Sequence, residues 1–338
     1  MTERRRDRGG IALIAVLLFL LLAGSTAATF VYRSLSDGLI AANREARARA
    51  EALARGGIAI ALAVLSQDRI DEERAAFRVE SRDDDWMRLA TVPITTADGG
   101  LLHVRIEDAG DRLDLNAIFD GGTVRDPRTE VLLIALFERL AERMPDAFAG
   151  RDANELARNL IDWVDADDVG QRGEAEDDVY QRRDPPYRAA NRPLLSLDEL
   201  GLVEGFDPTL VDALRPYLSV QPWARADGIN PNTAPPWILS LLFHGTGADF
   251  GFADEDTVRA VLDIREAGGI LCADEADHPS CTPIREAVPG EIYPPPTFAT
   301  DVFRVEARAE VGDVVATVEA TVDRADPTHP AILSWRVD

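Results

Sequence analysis

The sequence predicts an α+β protein: a long N-terminal helix, a small antiparallel sheet, and a large helical segment inserted into that sheet. Three observations carry this. An uncharged apolar run, Ile11 to Tyr32, continues without proline to Leu65. Alternating residues typical of strands with one covered face occur at His103-Val104-Arg105-Ile106-Glu107 and again after Asp301. Between these, apolar residues recur at helical spacing. A chain of 338 residues is long enough for one to three domains with a sizeable core.

The N-terminal run can cross a bilayer of about 30 Å as a helix at about 1.5 Å per residue. Arg4, Arg5, Arg6 and Arg8 precede it, against Glu3 and Asp7. That excess of positive charge keeps the N-terminus cytoplasmic and sends the rest outward. Three readings compete: a secretory signal peptide cut after Ser25-Thr26-Ala27-Ala28, a plain anchor, and a prepilin-type leader cut between Gly10 and Ile11. The following segment favours the third. Leu35, Leu39, Ala42, Ala46, Leu53, Ile60 and Val64 form one helical stripe, with Arg44, Glu45, Arg47, Arg49, Glu51 and Arg55 opposite. A pilin continues its apolar segment into such a helix; a cleaved signal peptide has no need to. Gly56-Gly57 is expected to weaken the helix locally.

Further on, Arg74–Glu80 and Leu101–Asp108 read as strands, and Asp111–Asn116 as extended chain. Helices are expected at Thr129–Met144, with Pro145 just past its end, and at Asp152–Val164, Leu197–Leu202, Pro208–Leu218, Ala234–Phe243 and Asp254–Ala267. Pro294-Pro295-Pro296 is a stiff connector. Asp301–Glu310 and Asp313–Asp323 close the chain as a hairpin turning at Gly312-Asp313.

The formal net charge is −24, from 60 acidic and 36 basic residues, and every basic residue is arginine. Such a balance argues against gripping nucleic acid through its phosphates. Two cysteines and four scattered histidines do not make a zinc ribbon or finger.

The motifs resemble the minor pseudopilin K family of bacterial type II secretion systems. The matching residues are Arg8-Gly9-Gly10 before Ile11-Ala12-Leu13, then Asp114-Leu115-Asn116 and Leu160-Ile161-Asp162-Trp163-Val164-Asp165-Ala166-Asp167. Beyond them come Pro186-Tyr187-Arg188-Ala189-Ala190-Asn191-Arg192-Pro193-Leu194, Asp198-Glu199-Leu200 and Ile229-Asn230-Pro231-Asn232-Thr233-Ala234. The resemblance implies a type IV pilin-like fold carrying a large α-helical insertion of SAM-like or helix-hairpin-helix-like units. It implies cleavage by the prepilin peptidase between Gly10 and Ile11, and N-methylation. The mature protein is expected in the inner membrane with its main domain periplasmic. There it caps a pseudopilus with the minor pseudopilins I and J, with pseudopilin H and secreted substrates as further partners. The expected divisions are a leader at 1–10, the N-terminal helix at 11–66, sheet residues at 67–116, helical units at 117–228 and 229–296, and closing strands at 297–338. No enzymatic role is expected.

Most pilins carry glutamate at the fifth mature position; here it is Ala15. A carboxylate inside a membrane is costly and is kept where it has a partner. A subunit at the tip has no neighbour above it to supply one, and absence of this glutamate is a feature of the resembled family.

Asp162–Asp184 holds nine acidic residues. Crowded carboxylates repel unless arginines or a cation intervene, and flexible oxygen-rich chain suits calcium. Asp165, Asp167, Gly170 and Glu176 fall at positions one, three, six and twelve of an EF-hand loop, but Val169 breaks position five. Some members of the resembled family bind calcium. The expected ligands are Asp165, Asp167, Asp168, Glu174, Glu176 and Asp177, against the alternative of a solvated loop paired with arginines. Asp162 and Asp165, three apart at a helix end, could act as an acid/base pair, but nothing nearby suggests a nucleophile or cofactor site.

Cys272 and Cys281 lie nine apart. In an oxidising compartment they are expected to form a disulfide; a Cys2His metal site using His278 is the alternative. Asp274, Glu275 and Asp277 between them are a lesser, second calcium candidate. The rival to the secretion reading is a membrane-anchored DNA receptor, because Ile229–Ala234 and Leu197–Leu218 resemble helix-hairpin-helix modules. Acidic surroundings weigh against it. Trp163 and Trp237 are expected in the core, Tyr187 and Asn191 as loop-fixing residues, and His103 on the surface.

Overall fold

The computed structural model describes residues 7–75, 77–119, 126–171, 173, 175–221, 228–273 and 281–337. Helix α1 (Asp7–Ala75) is continuous from the apolar run onward. It therefore absorbs Arg74 and Ala75, which were expected in a strand; residues 77–80 are irregular. Helix α2 (Asp85–Leu89), strand β1 (Ile94–Thr95) and strand β2 (Leu101–Asp108) follow.

The insertion begins with β3 (Leu113–Asp114) and α3 (Leu115–Ile118). Its helices α4 (Arg128–Arg143), α5 (Ala153–Val164), α6 (Asp177–Tyr180) and α7 (Pro208–Leu214) precede β4 (Leu218–Ser219), which pairs in parallel with β3. Next comes α8, which covers only Pro236–Leu239. The helix expected over Ala234–Phe243 forms only in this middle part: 240–242 are turn and irregular chain, and Phe243 opens the hairpin β5 (Phe243–Thr246) and β6 (Asp249–Phe252). Two prolines can start a helix, but the aromatic and glycine residues beyond Leu242 favour strand and turn. Helix α9 (Glu255–Glu266), β7 (Ile270–Cys272), β8 (Cys281–Pro283) and β9 (Glu291–Tyr293) complete the insertion. One apolar cluster runs from Leu113 to Tyr293 through both groups of helices.

The chain closes with β10 (Val302–Val311), β11 (Val314–Asp323) and β12 (Ala331–Val337), the last not anticipated. The hairpin turns at Gly312, with φ of +59°. The main sheet has the order β1-β2-β10-β11-β12, with every pair antiparallel.

This sheet packs on α1 through Leu102, Val104, Ile106, Phe303, Val305, Ala307, Val318, Ala320 and Val322. The face of α1 that meets it is Ala50, Ala54, Gly57, Ile58, Ala61 and Leu65, with Leu53 and Val64 of the predicted stripe packed at its margin; Leu35, Leu39 and Ile60 of that stripe are exposed. Small residues let the sheet come close. A Cβ on Gly57 would lie 2.8 Å from Ala307 Cβ, whereas one on Gly56 would meet nothing within 4 Å. The pair is thus a packing device at one position and an open surface at the other.

The two ends of the sheet differ. The start of β2 lies beside Leu53, since a Cβ on neighbouring Gly100 would be 3.0 Å from Leu53 Cδ2. The opposite end lies beside the last turns of α1, where Arg69 Nε is 3.6 Å from Asp301 and Arg324 Nη1 donates to Leu65 O. The insertion leaves after Asp108 and returns at Asp301. It therefore projects from the end of the sheet remote from the apolar run.

Candidate functional site

The acidic loop is built at the C-terminal end of α5. Helix α5 buries Leu156, Leu160, Ile161, Trp163 and Val164, so one turn of it places Asp162 and Asp165 side by side. The chain then folds back: Val169 bridges Ala175, and Glu176 N donates to Asp168 O at 3.5 Å. Oxygens of Asp162, Asp165 and Glu176 come within 4.8 Å of one another. Asp165 and Glu176, at the EF-hand-like positions one and twelve, do converge.

The remaining predicted ligands have other work. Asp167 Oδ1 accepts from Val169 N (2.9 Å), Asp168 Oδ1 accepts from Asn191 Nδ2 (3.2 Å), and Asp177 Oδ1 accepts from Ala189 N (3.1 Å). Glu174, Asp274, Glu275 and Asp277 lie outside the described residues, and at the expected cleavage point Gly10–Ile11 only the backbone is described. Asp162, absent from the expected ligands, was signalled by its one-turn spacing from Asp165.

Asp165 and Glu176 are 7% and 6% exposed. Asp165 Oδ1 and both Glu176 carboxylate oxygens have no hydrogen-bond partner. Burial and the neighbouring carboxylates push Asp165 up to about 6 and Glu176 up to about 8. Buried carboxylate oxygens without donors are costly, and hard oxygen donors without nitrogen or sulfur suit calcium or magnesium. The residues present therefore fit a hard divalent ion. An adjoining cavity of about 310 Å³ is lined by Glu155, Asn159, Asp162, Glu176 and Tyr180.

The sequence motifs form the frame of this loop. Asn191, at φ +46°, donates from Nδ2 to Asp167 O (2.7 Å), and its N–H donates to Trp163 O (3.0 Å). Tyr187 Oη donates to Leu202 O (2.8 Å). Glu199 accepts from Trp163 Nε1 (3.1 Å) and Leu195 N (2.8 Å). Asn116 holds Leu194 from the far side. The expected loop-fixing roles of Tyr187 and Asn191, the buried Trp163 and the exposed His103 all hold.

Trp237 does not hold: it is 53% exposed. The short α8 buries Ile238 and Leu239 and leaves the tryptophan on its outer side. The Asn230–Ala234 motif is consumed internally. Asn230 Nδ2 and Thr233 Oγ1 donate to Asp108 Oδ2, and Asn232 pairs with both backbone groups of Leu271. Arg265 donates to Pro231 O and Ala234 O. A phosphate-binding hairpin needs such groups turned outward. Cys272 and Cys281 are joined by a disulfide, with Cα atoms 5.9 Å apart.

Helix α1 is long and apolar enough at its start to cross a membrane, with Leu13 to Tyr32 exposed. A long apolar helix, half laid against an antiparallel sheet and half free, defines a pilin-like subunit, here enlarged by a helical insertion. A profile described as Type II secretion system (T2SS), protein K matches residues 111–223. Type II secretion system protein K of Pseudomonas aeruginosa is 33% identical over 71% of this chain and 69% of its own length. The Klebsiella pneumoniae protein is 32% identical over 72% and 70%. The crystal structure of the GspK-GspI-GspJ complex from the enterotoxigenic Escherichia coli type 2 secretion system contains a chain of the same fold. Its TM-score is 0.58 and its identity 22%, covering 90% of this chain and 99% of that one. The chain belongs to the type II secretion system protein K family, a structural and non-enzymatic component of the export machinery. Family membership and the apolar helix associate it with the membrane and periplasm.

Proposed function

We propose that this protein caps the periplasmic pseudopilus as a minor pseudopilin, assembled with pseudopilins I and J. The observation that carries the reading is where the insertion sits: beyond the end of the sheet farthest from the apolar run, where it obstructs addition of a further subunit. Ala15 supports it, since a terminal subunit needs no carboxylate to pair with a neighbour above. The related chain crystallised with GspI and GspJ supports the choice of partners. In this reading the prepilin peptidase cuts between Gly10 and Ile11, the new N-terminus is methylated, and the arginine-rich start stays cytoplasmic. Pseudopilin H and secreted proteins are further contacts. The units 67–116 and 297–338 form the pilin half, and 117–228 with 229–296 the cap.

Calcium is the ion this reading assigns to Asp162, Asp165 and Glu176. It would neutralise three clustered carboxylates and brace the loop framed by Asn191 and Glu199. The test of the cap is deletion of the gene together with co-purification of the full chain with I and J from the same organism. Loss of pseudopilus initiation and secretion, with a stable ternary complex, is expected. Intact secretion in the deletion strain overturns the reading.

A further inference from the structure

We propose that Asp68, Glu80 and Asp84 hold a second hard divalent cation, beside the buried Arg324, where the end of α1 meets α2 and the loop after β11. The site lies in the pilin half, apart from the acidic loop, and does not depend on that loop binding an ion.

The chain brings these groups together from three places. Asp68 and Glu72 lie one turn apart on α1. Glu80 follows the helix, its backbone N–H donating to Phe298 O at 2.7 Å. Asp84 is the residue before α2. Arg324 comes from beyond β11 and is fully buried, its guanidinium 4.6 Å from the centre of the Phe303 ring. It binds Asp68, donates to Glu80 Oε1 at 2.5 Å and reaches Glu72 at 3.3 Å.

One arginine does not balance this group. Glu72 has Arg78 at 3.6 Å and Arg69 at 3.9 Å on its outer side. Among the ion pairs of the described residues, Asp68 and Glu80 have Arg324 alone, which Glu72 also draws on, and Asp84 has none. Their net charge, if all ionise, is that of two carboxylates in a poorly solvated place, which is costly. A divalent cation removes the excess without extra protons.

Glu80 independently points to a ligand. It is 0% exposed. Its Oε1 accepts from Arg324 and from Thr300 N (3.2 Å), while its Oε2 has no hydrogen-bond partner. A buried charged oxygen is ordinarily satisfied. Oxygens of Asp68, Glu80 and Asp84 lie within 4.8 Å of one another. Calcium–oxygen bonds of about 2.4 Å let oxygens up to about 4.8 Å apart share one ion. Asp84 is already aimed: it accepts from Ser81 N (2.7 Å), Ser81 Oγ (2.9 Å) and Trp86 Nε1 (3.2 Å). Asp84 Oδ1, which accepts from Ser81 Oγ, and the unpartnered Glu80 Oε2 keep lone pairs for the ion. Asp68 and Asp84 are half-buried, which leaves a route for the ion and its waters. Burial pushes Asp84 up to about 6 and raises Glu80 well above the carboxylate range despite the Arg324 charge beside it. A bound ion would tie α1 and α2 to the segment through which the insertion returns.

The test uses the full chain in non-ionic detergent, stripped of metal and dialysed against calcium. Glu80→Gln is expected to bind one calcium fewer per chain than its parent, whatever the acidic loop does. In an Asp165→Asn, Glu176→Gln background, terbium should give emission sensitised through tryptophan, because Trp86 touches Asp84. Trp86→Phe should lose most of that emission, and Glu80→Gln should lose it all. The proposal is overturned if the background chain binds no calcium, or if folded Glu80→Gln keeps the parent's stoichiometry. Should Glu80→Gln fail to fold, Asp84→Asn is read in its place, and the background chain alone still decides.

Discussion

Asn116 closes its side-chain amide on the backbone of Leu194 from both directions: Nδ2 donates to Leu194 O and Oδ1 accepts from Leu194 N, each at 2.9 Å. The two residues are 78 apart in sequence. Asn232 repeats the arrangement on Leu271, at 2.9 and 2.7 Å. An amide presenting one donor and one acceptor in a plane imitates a strand neighbour where no strand is present. These clasps give two of the sequence motifs a mechanical reason.

Asn116→Ala removes one side of the first clasp and leaves the buried Leu194 N–H and C=O unpaired. The expected cost is about 2–4 kcal/mol, since each buried orphan costs about 1–3. Denaturant unfolding of the detergent-solubilised chain measures it. A loss below about 1 kcal/mol would mean that water replaces the asparagine.

The adjacent glycines of α1 should respond with opposite signs. Gly56→Ala adds a methyl group to open surface, and helix propensity predicts a gain of about 0.8–1 kcal/mol. Gly57→Val drives a branched side chain into Ala307 and Leu102, with a loss of about 1–3 kcal/mol expected. Melting temperatures of the two variants, read by circular dichroism, should move apart in opposite directions from the parent.

Replacing Arg324 by leucine leaves Glu80, Asp68 and Glu72 without their shared cation. Breaking a buried ion pair from one side costs about 3–5 kcal/mol. Trimming the exposed Arg47–Glu51 pair of α1 should cost less than about 1 kcal/mol. Parallel denaturation curves of the two variants make the comparison, and equal losses would contradict the assigned burial.

With chelator present, stability should fall as pH rises. Asp165 and Glu176 titrate at about 6 and about 8 in the folded chain, against ordinary values of 3.8 and 4.5. Between these limits the folded state holds protons that the unfolded chain has released, so the slope of stability with pH is negative. Glu72, Asp84 and Asp111 act with the same sign. Glu176→Gln isolates one contribution: its melting temperature should fall less than the parent's between pH 5 and 8.5. Saturating calcium should flatten the parent's slope, because the ion stands where the protons stood. An identical slope in parent and variant would remove Glu176 from the account.

Much of this architecture was legible in the sequence because it rests on local periodicity. The apolar run, β2, α4, α5, α9 and the closing hairpin all follow from spacing within one element. What was missed depends on partners distant in sequence. The stripe on α1 caught Leu53 and Val64 at the margin of the buried face but not its centre, because alanine and glycine carry little hydrophobic signal, yet they set how near Ala307 can come. The strands β5, β6, β9 and β12 are short or exposed, and only their pairing makes them strands. In the acidic loop the EF-hand-like spacing identified Asp165 and Glu176. Asp167, Asp168 and Asp177 carry the same charge, and only the fold reveals that they are taken up by Val169 N, the Asn191 side-chain amide and Ala189 N. Arg324 and Glu80 are 244 apart, and nothing local announces that they meet.

The insertion is joined to the rest of the chain through β2 and β10, neighbours that enter it at the same end, where Asp108 stands opposite Phe303. A pull on the insertion along its long direction would draw both strands the same way, sliding β10 past β11. Their ten paired residues carry hydrogen bonds lying across the direction of pull. The load would be shared along the whole seam rather than opening it one rung at a time. A pull on the insertion would thus be met as shear along the joint between the two halves of the chain.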